Sequence, residues 1–479
     1  MALTKVTWNM VDQPSTSDAN NNSQFGDNAL NSLTAGIRNT AFGKNALSSV
    51  TTSSWNTAVG YDALKVNTGE NNTALGDLAM ADNTTGAGNV ATGRKALWFN
   101  TTGNFNSAHG YGSMLWNDSG INNVAGGLQS LYCNRSGNNN VAHGRNAVYA
   151  NTTGSDNIGL GHQSLLYGNG SSNIAIGKFA LENYGLRYVA GSFVVGDQYV
   201  IAELGNTDFM AIGAATNDPG VIFVATGAGT GTGVASLNST APSSNIAIGD
   251  EAMRYNNSGS NNVAVGINAL LTNSDGDGNT GVGAASLTAN TDGSDNAALG
   301  NSTLYSNKTG SNNTAVGATA LYNNVSGSGN VVLGGLSDGG SYTPVFDVTT
   351  ENNRVVVGTT AVTNAYVRVA WTVVSDARDK TQVQPIAHGL NFVNQLNPVS
   401  YKFRVDRNSE ETNGGKRYGF LAQEVLTLEG NDPVIIDNED EEHLKYQGES
   451  LVPILVKAVQ ELTEKFTALE KQVLLLGAK

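Results

Sequence analysis

A single cysteine, eight prolines and few charges set the first bounds on this 479-residue chain. With Cys133 alone, no intrachain disulfide can form and no redox compartment follows. The plain reading of that thiol is a small, semi-buried loop residue. Charged residues make up 14% of the chain and the net charge is −14. Such a surface offers no counterion-releasing basic patch, so nucleic acid and anionic membranes are excluded as partners. A neutral or cationic partner, such as a glycan, stays open. No apolar run approaches the ~18 residues of a membrane span. Met1 to Val11 lacks the n-region and apolar h-region of a signal peptide, so no conventional export signal is expected. Cofactor and metal signals are also weak. The calcium-like Asp275-Gly276-Asp277-Gly278-Asn279 has Thr280 at the sixth position and Ser286 at the twelfth, where Gly and Glu belong. Gly227 to Gly233 is followed by no helix and reads as a flexible loop. Neither a cofactor nor a metal is expected.

What the chain has in quantity is glycine, 58 residues, unevenly spread. Before Ser375 there are 51 glycines and 37 charged residues in 374; from Ser375 on there are 7 and 29 in 105. Two kinds of structure are therefore joined near Ser375. The first is an internal repeat, Asn-x-small-x-Gly-x-x-small-aliphatic, as in Asn56 to Leu64 and Asn173 to Leu181. Its glycines run from Gly26 to Gly177 and, after a gap, from Gly249 to Gly334, spaced by 17 and twice by 16. In all sixteen units an Asn stands four residues before the Gly. Alternation predicts a short strand with the small residue on one face and its Val, Ile, Leu or Thr neighbours on the other. The small residue lets another backbone approach closely, the Gly ends the strand, and the Asn column predicts stacked, hydrogen-bonded amides. One such unit cannot fold alone, but stacked units bury a continuous core. Each repeat reads as one coil of a parallel β-roll or solenoid.

Residues 182–244 interrupt the repeat with strand-like runs at Tyr188 to Val195, Tyr199 to Leu204 and Val221 to Thr226, a separate small β element. Beyond Gly334, Val345 to Val348, Arg354 to Val357 and Ala365 to Val374 predict the strands of a β stem. His109 and His143 take the position just before the anchor Gly, where aliphatic residues are the rule. They read as packing residues, or as part of a metal or anion site if three copies meet there. Trp8, Trp55, Trp98 and Trp116 are candidate sugar-stacking surfaces if exposed; Trp98 and Trp116 are alternatively placed to pack between coils. Near the C-terminus, Val452, Leu455, Val459, Leu462, Phe466, Leu469, Val473 and Leu476 form a heptad seam, with Pro453 in its first turn. The seam predicts self-association but does not by itself choose trimer over dimer.

Ser375-Asp376-Ala377-Arg378-Asp379-Lys380 opens a series of ordered motifs. Leu396-Asn397-Pro398-Val399, Tyr401-Lys402-Phe403, Tyr418-Gly419-Phe420-Leu421-Ala422-Gln423-Glu424-Val425, Tyr446 and Leu451-Val452-Pro453-Ile454-Leu455 follow. Together they resemble the endosialidase-type intramolecular chaperone domain of phage tail spikes and fibres, over nearly all of 375–479. The whole chain looks like tail-fibre proteins of marine cyanophages, and the upstream repeat is similar to the heads of trimeric autotransporter adhesins. The resemblance implies a homotrimer, a chaperone that assembles it, and autoproteolysis at Val374–Ser375. Ser375 matches the nucleophile and Lys380 its basic partner. A serine hydroxyl needs such a base, and a lysine, ordinarily near pKa ~10.4, must be desolvated to serve as one. Asp379 departs from the apolar residue common before the Lys and opposes that role by favouring the charged amine. Ser375 also reads as an ordinary helix cap.

The expected fold is mainly β: a homotrimeric parallel β-roll or solenoid of about 17-residue repeats with a small β insert, then an α+β chaperone domain ending in a coiled coil. Its expected parts are a virion-attachment segment 1–21, repeats 22–181, the insert 182–244, repeats 245–338, a β stem 339–374 and the chaperone 375–479 with its coiled coil at 451–476. The expected function is a structural, receptor-contacting phage tail fibre, made in the host cytoplasm and carried in the virion. Its partners would be tail or baseplate proteins and a host glycan or protein receptor. The expected chemistry is a single-turnover Ser-Lys autoproteolysis, with none on external substrates. The rivals are a polysaccharide-degrading tailspike, disfavoured because the repeats carry no recurring carboxylate pair, and a trimeric bacterial adhesin head.

Overall fold

The computed structural model describes residues 20–182, 187–195, 197–203, 205–219, 221–237, 242–336, 340–368, 373–404, 409–431, 433–439, 441 and 443–477. The expected attachment segment lies outside them but for residues 20–21. The chain divides into two units, one of residues 1–336 with 347–358, the other of 337–346 with 359–479.

The first unit is a parallel β-solenoid. Ten three-residue strands, β1 (Ser23–Phe25) to β10 (Ile174–Ile176), are followed after the insert by β15 (Ile246–Ile248) to β20 (Val331–Leu333) and then β21 (Val355–Val357). Together they make one 17-stranded sheet whose rungs pair in register, Ala41 on Ala58 and Ala58 on Ala74. From β2 on, the middle residue of each solenoid strand points inward: Ala58, Ala175 and the later Leu64 are fully buried. The space is closely filled. At Gly159, Val148 replaces the usual Leu, and an alanine methyl would lie 2.5 Å from Val148 Cγ2. The anchor glycines are equally constrained. Gly60 has φ +141°, and a Cβ there would meet the Gly76 carbonyl oxygen 2.3 Å away.

Asp62 and Leu64 turn the chain in left-handed conformations, φ 51° and 47°. Each costs roughly 1–2 kcal/mol, and burial of a leucine, worth about 1.5–3 kcal/mol, offsets it. Two asparagine ladders then tie coil to coil. In the first, Asn106 Oδ1 accepts from the Asn123 backbone N–H at 3.0 Å, and Asn106 Nδ2 donates to Gly120 O at 2.8 Å. In the second, Asn117 Nδ2 donates to Asn100 Oδ1 at 2.7 Å and to Gly120 O at 3.0 Å. Every member of the second ladder donates to the one before it. Its two runs therefore end at Asn151 and Asn324, each with a buried Oδ1 that lacks a partner.

The insert leaves after the β10 coil and returns directly below it, so that β10 pairs β15 as if nothing intervened. It forms an antiparallel sheet of β11 (Arg187–Val189), β12 (Gln198–Glu203), β13 (Ile222–Val224) and β14 (Val234–Leu237) in the order β11-β14-β12-β13. Phe193, Tyr199, Phe209 and Phe223 fill its own core. β14 escapes sequence reading because it follows the Gly/Thr run, yet it lies inside the sheet. Val234 at its start is buried against Ala150, Leu166 and Tyr167 of the solenoid, and Arg135 Nη2 donates to Pro219 O at 2.9 Å.

The β stem is where structure and sequence differ most. Of its three expected strands only Val355–Val357 forms, and it is the last rung of the solenoid, paired to Val331–Leu333. A strand forms where a neighbouring rung offers its hydrogen bonds. Val345 to Val348 and the described part of Ala365 to Val374 have no such rung and are not strands.

The second unit contains α1 (Leu390–Val393), a hairpin of β22 (Val399–Arg404) and β23 (Thr412–Gly419), α2 (Ala422–Glu429), a small pair of β24 (Ile436–Asp437) and β25 (Lys445–Tyr446), and the long α3 (Leu451–Gly477). Its core gathers Phe392, Val425, Ile435, Ile436, Leu451 and Ile454. Buried Glu429 holds the 434–436 loop by accepting from the backbone N–H of Val434, Ile435 and Ile436 at 2.6–3.0 Å. Glu461 Oε2 caps α1 through the Leu390 N–H at 2.8 Å.

Candidate functional site

Asp376 shapes the segment that carries the two candidate residues. Its carboxylate accepts from the Arg378 backbone N–H at 2.9 Å and caps a one-turn 3-10 helix, Ala377–Asp379. The Arg378 guanidinium also donates to it, Nη2 to Oδ2 at 2.5 Å. That side-chain bond, with the backbone bond second, holds the Asp376 carboxyl below the usual carboxylate range. The cap is thus Asp376 rather than Ser375. The turn brings position 380 back to position 375, and Lys380 Nζ lies 2.6 Å from Ser375 Oγ. The two candidates predicted from the sequence are in hydrogen-bond contact. Among the described residues no ion pair joins Asp379 to Lys380; the acid of this turn that engages a cation is Asp376. Asp376 and Arg378 are the contributors that sequence reading passed over. The Ser-Asp cap signal was present, but it pointed to the wrong member of the pair.

Both side chains, and Val374 at 81% exposure, are open to solvent in the single chain. The arrangement provides a hydroxyl, an amine against it and an accessible carbonyl immediately upstream. It does not provide the exclusion of water that an amine needs to act as a base.

A second feature of the unit supplies a surface instead of a reaction. α3 has two apolar stripes. Leu451, Ile454 and Ala458 bury into the core, whereas the heptad residues, offset by one position, are 42–74% exposed from Leu455 to Leu476. The β22–β23 hairpin is largely exposed, with Val399 and Tyr401 half-buried and Tyr418 at 85% exposure. A two-stranded hairpin without cover is marginal in water.

The remaining sequence candidates fall elsewhere. His109 and His143 stand exposed on the outer face of the solenoid sheet, in register with Gly126 between them, and His143 Nδ1 occupies the space where a side chain at 126 would sit. Among the described residues no group of three or more His, Cys, Asp or Glu is placed to hold a metal ion. Trp116 stacks on Phe99 of the preceding coil at 4.2 Å and so packs between coils, whereas Trp98 stacks on its neighbour Phe99 at 4.7 Å; Trp55 is exposed, and Trp8 lies outside the described residues. Among the described residues no helix is long and apolar enough to cross a membrane.

Among curated proteins and solved structures nothing matches the chain. Residues 375–428 match the family model described as "Chaperone of endosialidase". That stretch runs from the Ser375–Lys380 turn into α2, and it is this part of the C-terminal segment that is similar to such a chaperone.

Proposed function

We propose that the chain is one subunit of a homotrimeric phage tail fibre, made in the host cytoplasm, mounted in the virion by its N-terminal segment and presenting the solenoid to a host receptor. The C-terminal unit aligns the three copies. The observation that carries this reading is the heptad seam of α3, which follows the stretch similar to the chaperone family and is exposed among the described residues. Copies of α3 would close that seam with each other.

Once assembled, the unit cuts the Val374–Ser375 bond. Lys380 Nζ takes the hydroxyl proton as Ser375 Oγ attacks the Val374 carbonyl carbon. The Oγ–C bond forms, the C–N bond breaks, and the proton passes to the departing Ser375 amine. Water then cleaves the ester, giving a Val374 carboxylate and a free Ser375 hydroxyl. Neighbouring copies supply the water exclusion missing from the single chain, so cleavage waits for assembly. Intact-mass measurement of the purified protein tests this. The wild type should give pieces 1–374 and 375–479, whereas Ser375→Ala and Lys380→Met stay whole. An uncut wild-type trimer would remove the cleavage step and leave the assembly role.

A further inference from the structure

On the solenoid edge, next to the docked insert, a cavity of about 190 Å3 is lined by Gln129, Asn146, Gln163, Tyr149, Leu166 and Tyr167. The first three occupy one column of left-handed residues on successive coils, φ 52°, 53° and 56°. With coils stacked at strand spacing, three side-chain amides are arrayed over roughly 10 Å. The last three complete the lining, with Leu166 and Tyr167 nearly buried behind its mostly polar surface. Tyr149 is steadied by stacking on Tyr132 at 5.0 Å and 5°, and Tyr167 by packing against Val234 of the insert.

The same column behaves differently elsewhere. In the first coils Asn28, Asn45 and Asp62 hydrogen-bond one another at 3.1 and 2.8 Å. At Gln129 and Asn146 no such bond exists among the described residues, and Asn146 Oδ1 is buried without a partner. Gln163 Oε1 is engaged by the His162 ring at 2.9 Å, which leaves its NH2 group as a donor. A buried, unsatisfied polar atom costs about 1–3 kcal/mol, and native folds keep few of them. Among the described residues, the Gln129 and Asn146 side-chain amides make no hydrogen bond within the solenoid.

We propose that this cavity binds one ring of an uncharged saccharide. Its lining has no acidic or basic side chain, which disfavours ions, nucleotides and acidic sugars. An apolar peptide would strand three amides. A neutral sugar ring has vicinal hydroxyls to pair with the Gln129 amide and the Gln163 NH2 group, and a C–H face for the smaller apolar part of the lining. The volume is below the roughly 300–1,000 Å3 of pockets for drug-sized ligands, which limits the contact to about one ring. The proposal deepens the receptor-contacting role and rests on that reading for its biological meaning.

Saturation-transfer NMR on the full-length protein with glucose, galactose, mannose and N-acetylglucosamine, each alone, tests it. Transfer to at least one sugar is expected, falling at least tenfold in a Gln129→Gly/Asn146→Gly variant. Glycine adopts both left-handed conformations, so the variant should keep the wild-type melting temperature. Transfer to none of the four, with water alone satisfying Asn146, would overturn the site, as would transfer unchanged in the variant. Because the cavity lies within one chain, a sugar-binding monomer would refute the trimeric fibre and keep the site. A trimer without transfer would refute the site alone.

Discussion

The solenoid and the C-terminal unit satisfy themselves in opposite ways. In the solenoid, Ala58, Leu64 and the asparagine ladders find their partners within one chain, each coil using the next. In the C-terminal unit, Leu462, Phe466 and Tyr418 face water. The difference concerns register. Within a chain, coil order follows from connectivity, so repetition does no harm there. Between chains it does. The outer face shows Phe42, Val59 and Leu75 at one end and Leu299, Val316 and Leu333 at the other, one coil much like the next. Copies sliding by one coil would meet nearly the same surface. Only a non-repetitive unit can tell the right alignment from the wrong one.

The largest expected effect comes from removing that unit. Residues 1–374 alone should give aggregates or misregistered assemblies in sedimentation velocity; a single well-behaved trimer would break the comparison. Next, Leu462→Asp with Phe466→Asp places charges in the seam without touching the Leu451/Ile454 stripe. Light scattering should then report monomers with helical circular dichroism retained, and cleavage at Val374–Ser375 should cease. Monomers that still cut themselves would show that the Ser375–Lys380 pair needs no assembly.

Within the solenoid, Asn106→Ala leaves the Asn123 N–H without its acceptor, while the Gly120 carbonyl keeps Asn117 Nδ2 as a donor. At about 1–3 kcal/mol for that orphaned group, destabilisation of about 2 kcal/mol is expected in urea unfolding. Ser119→Ala on the exposed loop should stay within about 0.5 kcal/mol. Equal effects would mean that the ladders carry little of the stability.

The smallest effect concerns acid. Burial pushes the Glu351 carboxyl up, but the backbone amides of 349–351 pull it down further, to a net value below the ordinary one. A depressed carboxyl contributes stability above its unfolded pKa and loses it as pH falls through the folded value. Amide exchange at Thr349 and Thr350 should therefore quicken in acid beyond its intrinsic trend, and less so in Glu351→Gln.

Much of this was legible in the sequence. The 17-residue Asn and Gly columns gave the coil because each marks a position where geometry admits little else, as at Gly60. Ser375 and Lys380 were legible as a pair only through motif order. Their contact depends on a turn made by Asp376 and Arg378, whose spacing resembles any exposed ion pair. β14 was hidden because its partner strands lie 30 or more residues upstream. The Gln129–Asn146–Gln163 column was hidden because, in sequence, those residues are three polar positions among many. What sets them apart is that their three amides line one cavity.

The central claim is that the C-terminal unit brings three chains into register, and native mass spectrometry of the full-length Ser375→Ala protein tests it most directly. Three copies in one species, dissociating to monomers with Leu462→Asp and Phe466→Asp, is the predicted result. A monomer or a dimer at micromolar concentration, with α3 folded, would contradict it.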